Sequence, residues 1–222
     1  MTDRIEKIVS LEWAMFVAVN EGSDPASCQE DRVTFDAMRK AQFEAWSPQA
    51  QSSYLEDLEE AQKTNRNLVE EKYIHMMKTT EPSRYDALLV RVKMPTEKAS
   101  TMAREISDRL LEQTRILFEE YPYVSGHGRP LYSTFDYGDT SIETYQLSEL
   151  LTYSENTLTA LGEHISALEE NKVPLARKIL ENTVRYYGYD SLESAETATK
   201  ARADEIGFEI SFGCACEDEC YE

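Results

Sequence analysis

The chain is poor in basic residues and in long apolar runs. Its 23 lysines and arginines face 42 acidic residues, so its formal net charge is −19. Such a chain repels a phosphate backbone and an anionic membrane surface, which argues against nucleic-acid binding and membrane docking. No stretch approaches the roughly 18 consecutive apolar residues of a membrane span, and the start MTDRIEKIVSLEW lacks the apolar core of a signal peptide. We therefore predict a cytoplasmic protein.

Several catalytic motifs are also missing. The sequence has no Gly-x-x-x-x-Gly-Lys phosphate loop, no Gly-x-Gly-x-x-Gly dinucleotide motif and no Gly-x-Ser-x-Gly elbow. Glu71 and His75 are four residues apart, whereas carboxylate-bridged di-metal bundles use Glu-x-x-His pairs, so a di-iron site is not indicated. The sequence thus identifies no cofactor and leaves open whether the chain is an enzyme.

The few cysteines are unevenly placed, with Cys28 alone and Cys214, Cys216 and Cys220 close to the end. This distribution does not resemble a disulfide scaffold, so we expect reduced thiols. Three thiolates at this spacing can bind a soft metal ion, although the acidic residues between them raise the pKa of each thiol and make it a poor nucleophile. A passive tail, a metal site and a redox arm all remain open.

Helical periodicity runs through nearly the whole chain and predicts an all-α fold. The first helix is predicted over residues 3–19. The second, over 31–46, carries an apolar stripe that includes Met38. Capping residues predict further helices over 48–63 after Ser47, 68–79 after Asn67, and 97–121. Thr140 and Asp190, each followed three residues later by a glutamate, predict two more helix starts.

When the sequence is shifted by a constant number of residues, its second half aligns with its first half, so that Tyr153 corresponds to Trp46 and Ile165 to Leu58. We therefore predict one helical domain over 1–207, built as a bundle of two repeats of about 3–92 and 97–206 that are related by a pseudo-two-fold axis. Residues 208–222 are predicted to form a short extended tail that bears the cysteines. Within the second repeat, residues 122–139 are rich in glycine and proline and predict a long loop of the kind that is usually functional or mobile.

Polar residues that interrupt the apolar stripes are the candidates for a site, because burying an unpaired charge is unfavourable. Glu12, Gln42 and Glu149 lie at such positions, and Arg39 lies one turn before Gln42. We expect these residues to converge between the repeats, with a desolvated Glu12 or Glu149 as acid or base. The residues expected to bind a ligand are Arg39, Gln42, Arg129, Glu143 and Tyr145. The alternative is an internal ion-pair network that only holds the helices in register.

Five blocks of sequence carry a resemblance to a known family. They are LEWAMFVAVN, SCQEDRVTFDAMRKAQFEAW, SYLEDLEEAQKTNRNLVEEKY, TSIETY and ENTVRYYGYDSLESAE. In order and spacing these blocks resemble the bacterial domain-of-unknown-function family 4125, over residues 9 to about 196. The resemblance implies an uncharacterised helical protein whose relatives occur beside nucleotidyltransferase-like domains. His75 and His127 stand where the family pattern implies arginine, and the cysteine tail lies beyond the resemblance.

The sequence therefore predicts a protein that binds a polar small molecule between its two repeats. An accessory module that binds a nucleotidyltransferase-like protein partner is the first alternative, and thiol chemistry at Cys214, Cys216 and Cys220 is the second.

Overall fold

The computed structural model describes residues 2–19, 29–126, 128–136 and 140–207. These residues form a bundle of α-helices without β-strands, which confirms the all-α prediction. The helices of the described residues are α1 (Thr2–Val17), α2 (Arg32–Ala45), α3 (Pro48–Lys63), α4 (Leu68–Thr80), α5 (Pro82–Leu88), α6 (Glu97–Glu120), α7 (Pro122–Ser125), α8 (Ile142–Leu150), α9 (Glu155–Glu170), α10 (Leu175–Tyr186) and α11 (Leu192–Ile206). The predicted extended tail and all four cysteines lie outside the described residues.

Two predicted helix starts are confirmed by their capping hydrogen bonds. Ser47 Oγ accepts a hydrogen bond from the Ala50 amide at 3.2 Å, and α3 begins directly afterwards with Pro48. Asn67 Oδ1 accepts from the Glu70 amide at 3.0 Å at the start of α4. Each side-chain oxygen satisfies an amide that has no partner within its own helix.

Two other predicted starts are wrong by one residue. Ser141, not Thr140, caps α8, and Ser191, not Asp190, caps α11 in a reciprocal pair of hydrogen bonds with Ser194. In both cases a serine follows the predicted cap and supplies the accepting oxygen. Serine, threonine and aspartate have similar capping preferences, so propensity does not distinguish between neighbours of these types.

The predicted stripe of α2 is partly wrong. Met38 is 47% exposed, whereas Arg39 and Phe43 are buried. Because Arg39 and Phe43 are four residues apart they share one helix face, and Met38 lies about 100° away from Arg39 around the helix axis. The buried face of α2 is therefore built around a charged residue, which the apolar pattern alone did not indicate.

A hydrophobic core connects the two halves of the chain. It extends from Ile5 in α1 to Leu175 in α10, and Phe43, Leu58 and Leu158 are among its fully buried side chains. None of the helices in the described residues has the length and apolar character needed to cross a bilayer.

The helices of the two halves pack with corresponding partners. Helix α1 packs against α2, α3 and α4, and α6 packs against α8, α9 and α10. Across the halves, α2 packs on α10, α8 on α4, and α3 on α9. The ranges of α3 and α9, 48–63 and 155–170, also correspond at the predicted offset. The internal repeat, its two-fold axis and the single domain over 1–207 stay predictions.

Leu58→Ala tests the contribution of the core. Leu58 is fully buried in α3, so truncation removes apolar contacts and leaves a cavity. We expect the free energy of unfolding to fall by about 2–5 kcal/mol, measured by urea denaturation. Val90→Ala is the control, because Val90 is 89% exposed, and a change beyond about 0.5 kcal/mol is not expected there. A loss below about 1 kcal/mol for Leu58→Ala contradicts the packing described.

Candidate functional site

Four charged side chains from four helices meet inside the bundle. They are Glu12 of α1, Arg39 of α2, Lys72 of α4 and Glu149 of α8, and their exposed fractions are only 2%, 8%, 7% and 8%. We call these four side chains the charge cluster. Three of them, Glu12, Arg39 and Glu149, were predicted to converge, and the structure brings them into direct contact.

Arg39 and Glu12 form a bidentate ion pair. Arg39 Nε donates to Glu12 Oε2 at 2.7 Å, and Arg39 Nη2 donates to Glu12 Oε1 at 2.5 Å. The hydroxyl of Tyr54 on α3 also donates to Glu12 Oε1, at 2.7 Å. The planar guanidinium matches a carboxylate in this forked arrangement, which is the strongest geometry for such a pair. Both oxygens of Glu12 are therefore engaged.

Glu149 accepts hydrogen bonds from four side chains. Arg39 Nη2 and Nη1 lie 3.0 Å and 3.3 Å from its two oxygens. Lys72 Nζ lies 3.3 Å from Oε2, and Gln42 Nε2 lies 3.1 Å from Oε1. The Tyr153 hydroxyl donates to Oε1 at 2.7 Å. Glu149 thus joins the two cations of the cluster through one carboxylate.

The cluster balances two carboxylates with two cations, and this balance determines their protonation. Burial by itself raises the pKa of the Glu149 carboxyl, but Arg39 and Lys72 outweigh it and hold that pKa well below its usual range. Burial by itself also lowers the pKa values of Arg39 and Lys72. The carboxylates of Glu12 and Glu149 nevertheless raise the pKa of Arg39. In the same way, Tyr145 and Glu149 raise the pKa of Lys72. A carboxylate with so low a pKa is a weak base, so this environment favours binding or structural roles for Glu149 over proton transfer.

The predicted ligand residues Arg129 and Tyr145 lie at the edge of the cluster. Lys72 Nζ donates to the Tyr145 hydroxyl at 2.8 Å, and the Arg129 guanidinium carbon lies 4.9 Å from the centre of the Tyr145 ring. Arg129 also donates to the Thr140 carbonyl at 2.9 Å. The segment before α8 therefore brings Arg129 to the edge of the cluster beside Tyr145, while ligand binding by the two residues stays a prediction.

Glu143 does not join the cluster. Its Oε2 accepts a hydrogen bond from the Ser133 amide at 2.7 Å, and its own amide donates to the Leu131 carbonyl at 3.1 Å. Glu143 thus ties the preceding segment to the start of α8. Its ligand-binding role stays a prediction that these contacts do not support.

Sequence reasoning missed Lys72, Tyr54 and Tyr153. Lys72 was not among the predicted site residues, although its ammonium group is buried and bonded to Glu149. Lys72 lies four residues after Leu68 and four before Met76, both buried. The rule that identified Glu12, a charge within an apolar stripe, would have identified Lys72 too.

A cleft of about 310 Å³ lies beside the cluster at the junction of α8 and α9. Its walls come from α3, α4, the segment 93–96 and residues 151–155, so it lies between the two halves. Tyr153 is part of its lining, and the hydroxyl of the same side chain is bonded to Glu149. Tyr153 therefore connects the cleft to the charge cluster.

No metal site is formed within 2–19, 29–126, 128–136 and 140–207, because no three His, Cys, Asp or Glu residues there are grouped to hold an ion. The predicted metal ligands Cys214, Cys216 and Cys220 lie outside these ranges, so that site stays a prediction.

The fold and the site together define a class of all-α protein with a neutral, hydrogen-bonded charge cluster inside a helical bundle. The family model described as a protein of unknown function, DUF4125, matches residues 2–197, and the chain belongs to that family. The resemblance inferred from the five sequence blocks is thereby confirmed. No curated protein and no solved structure matches the chain.

Arg39→Met tests the charge cluster. The variant keeps an unbranched side chain but leaves Glu12 and Glu149 buried without their shared cation, so we expect a loss of about 3–5 kcal/mol in the free energy of unfolding. Urea denaturation measures it. Arg104→Met is the matched control, since Arg104 is exposed and forms no ion pair with another described residue. A loss for Arg39→Met no larger than that of the control contradicts the cluster.

His75 makes stability depend on pH. Burial, with a smaller contribution from Lys78, lowers the pKa of His75 from 6.5 to about 4. Its Nε2 has no hydrogen-bond partner among the described residues. Between these two pKa values the unfolded chain binds a proton that the folded protein does not, so stability falls as the pH drops from about 6.5 to about 4. We expect His75→Leu to lose less stability than the wild type between about pH 7 and pH 5, by urea midpoints. If His75→Leu loses as much stability between pH 7 and pH 5 as the wild type does, this assignment is contradicted.

Proposed function

We propose that the protein binds a polar small molecule in the cleft at the α8–α9 junction, between the two halves of the chain. The observation that carries this proposal is the position of Tyr153, which lines the cleft while its hydroxyl is bonded to Glu149. An occupant of the cleft therefore lies against a side chain whose orientation the charge cluster determines.

The lining of the cleft suits a small ligand with both polar and apolar parts. Leu68, Met94, Pro95, Ala99 and Leu151 supply apolar surface, Lys93 supplies a donor, and Asp57, Glu60 and Glu155 supply carboxylates. Its volume of about 310 Å³ is near the lower end of the usual range for small-molecule sites, and a mainly apolar lining with few polar groups is typical of them.

The hydrogen bonds of the cluster assign indirect roles to the predicted residues. Arg39, Gln42 and Glu149 bind one another, so in this proposal they position Tyr153 and do not contact the ligand. Catalytic roles for Glu12 and Glu149 stay predictions, and no reaction is assigned. The cluster contributes a rigid polar wall behind the cleft, because each side chain in it is held by several partners.

Met94→Trp tests the cleft. We expect native mass spectrometry of the wild type, purified under reducing conditions, to show a small organic mass that denaturation removes. A tryptophan at position 94 fills part of the cleft, so the affinity for the bound compound should fall at least tenfold, about 1.4 kcal/mol of binding free energy, and the bound occupancy should fall with it. Val90→Trp introduces the same side chain at an exposed position outside the cleft lining and should leave the occupancy unchanged.

Two outcomes contradict the proposal. One is a ligand that binds Met94→Trp as well as it binds the wild type. The other is a wild-type protein that carries no ligand as purified and whose melting temperature no compound of a polar metabolite panel raises.

A further inference from the structure

A second surface lies between α6 and α9, and it shares no lining residue with the α8–α9 cleft. These two helices pack together and leave an open groove of about 450 Å³ along their length. Met102 and Ile106 of α6 and Leu158 and Gly162 of α9 form its apolar floor. From Leu158 to Glu170 the groove extends about 18 Å at the usual helical rise, which corresponds to about three turns of a docked helix.

Gly162 is the unusual residue of this groove. It lies inside the sixteen-residue helix α9. At such a position glycine makes the folded protein less stable than alanine does, because the unfolded backbone has more freedom at glycine. The fold does not require a glycine there. A Cβ at this position would meet only the Ile106 side chain, at 3.8 Å, which is an ordinary contact. The absent side chain therefore leaves room at the surface for something that approaches the backbone of α9 closely.

The rim of the groove is acidic. Glu105, Glu163 and Glu170 line it, all three are exposed, and within the described ranges none of them forms an ion pair or a side-chain hydrogen bond. The arginine in the lining, Arg109, is already bonded to Glu169 at 2.7 Å. Unpaired carboxylates around an apolar floor are complementary to a cationic, amphipathic partner and repel an acidic one.

We infer that this groove binds an amphipathic helix of a partner protein, with its apolar face on Gly162 and its lysine or arginine residues beside the three carboxylates. Two packed helices offer a third helix ridges and grooves to pack against, and a small residue in the contact allows close approach of the axes. Helix-in-groove recognition uses this geometry in other proteins. This surface is independent of the α8–α9 cleft, so either proposal can fail alone.

The test uses the full chain and labelled synthetic peptides of about 15 residues. The probe is a leucine–lysine peptide with its leucines at helical spacing, and the first control has the same composition in scrambled order. A second control replaces each lysine with glutamate. Fluorescence anisotropy should show that the amphipathic basic peptide binds at least tenfold more tightly than the scrambled one, and that the acidic peptide does not bind. Equal affinity for the ordered and scrambled peptides overturns the proposal.

Gly162→Ala separates docking from folding. Alanine should raise the melting temperature by roughly 1–4 °C, because it favours the helix, and yet weaken peptide binding severalfold. Gly162→Leu should weaken binding at least tenfold without preventing folding. A purely structural glycine predicts no loss of affinity in folded variants, so unchanged peptide affinity in both overturns the proposal.

A matched pair of charge reversals tests the rim. Glu163→Lys and Glu205→Lys change the net charge equally, but Glu205 is exposed on α11, away from the groove. We expect Glu163→Lys to weaken binding of the ordered peptide at least fivefold more than Glu205→Lys does. Equal effects show that the peptide responds only to the overall negative charge, and they overturn the assignment of the groove.

Discussion

The forked contact of Arg39 with Glu12, extended to Glu149, is the interaction on which the arrangement of the helices depends. A guanidinium buried to this degree is stable only where carboxylates surround it at hydrogen-bonding distance. Those carboxylates come from α1 and α8, while Lys72 of α4 and Tyr54 of α3 complete the set. A shift of α1, α2 or α8 by one turn would leave a buried charge without a partner, so these ion pairs oppose a change in the register of the three helices.

The same interaction constrains where the protein can act. Because the charged groups bind one another, the ligand that we propose would meet the cluster only at its periphery, through Tyr153 at the α8–α9 cleft. The groove between α6 and α9 differs from this cleft, with an apolar floor and exposed acidic groups on its rim. We thus propose one surface for a polar small molecule and another for a cationic helix, and the family match assigns an activity to neither.

Much of the candidate site was accessible to reasoning from sequence. Glu12 and Glu149 interrupt apolar stripes, and a charge in such a position must find a partner inside the protein. Lys72 satisfied the same rule and was missed because lysine is usually assigned to the surface. The contact of Glu143 with the amide of Ser133 could not be predicted, because Ser133 lies in a segment without periodicity. Met38 was wrongly assigned to the buried face of α2. It lies next to that face, and only the rotation of the helix about its axis decides which of two neighbouring positions is buried.

The sequence by itself determined the all-α class, most helix boundaries, the strong negative charge and the presence of buried ionic groups, because periodicity, capping and composition are local properties. Only the tertiary structure decided that Arg39 serves two carboxylates, that Lys72 joins them, and that a cleft and a groove form where they do. These features depend on how helices far apart in the chain rotate and pack against each other. No local pattern carries that information, because each helix face finds its partner only when the whole core assembles.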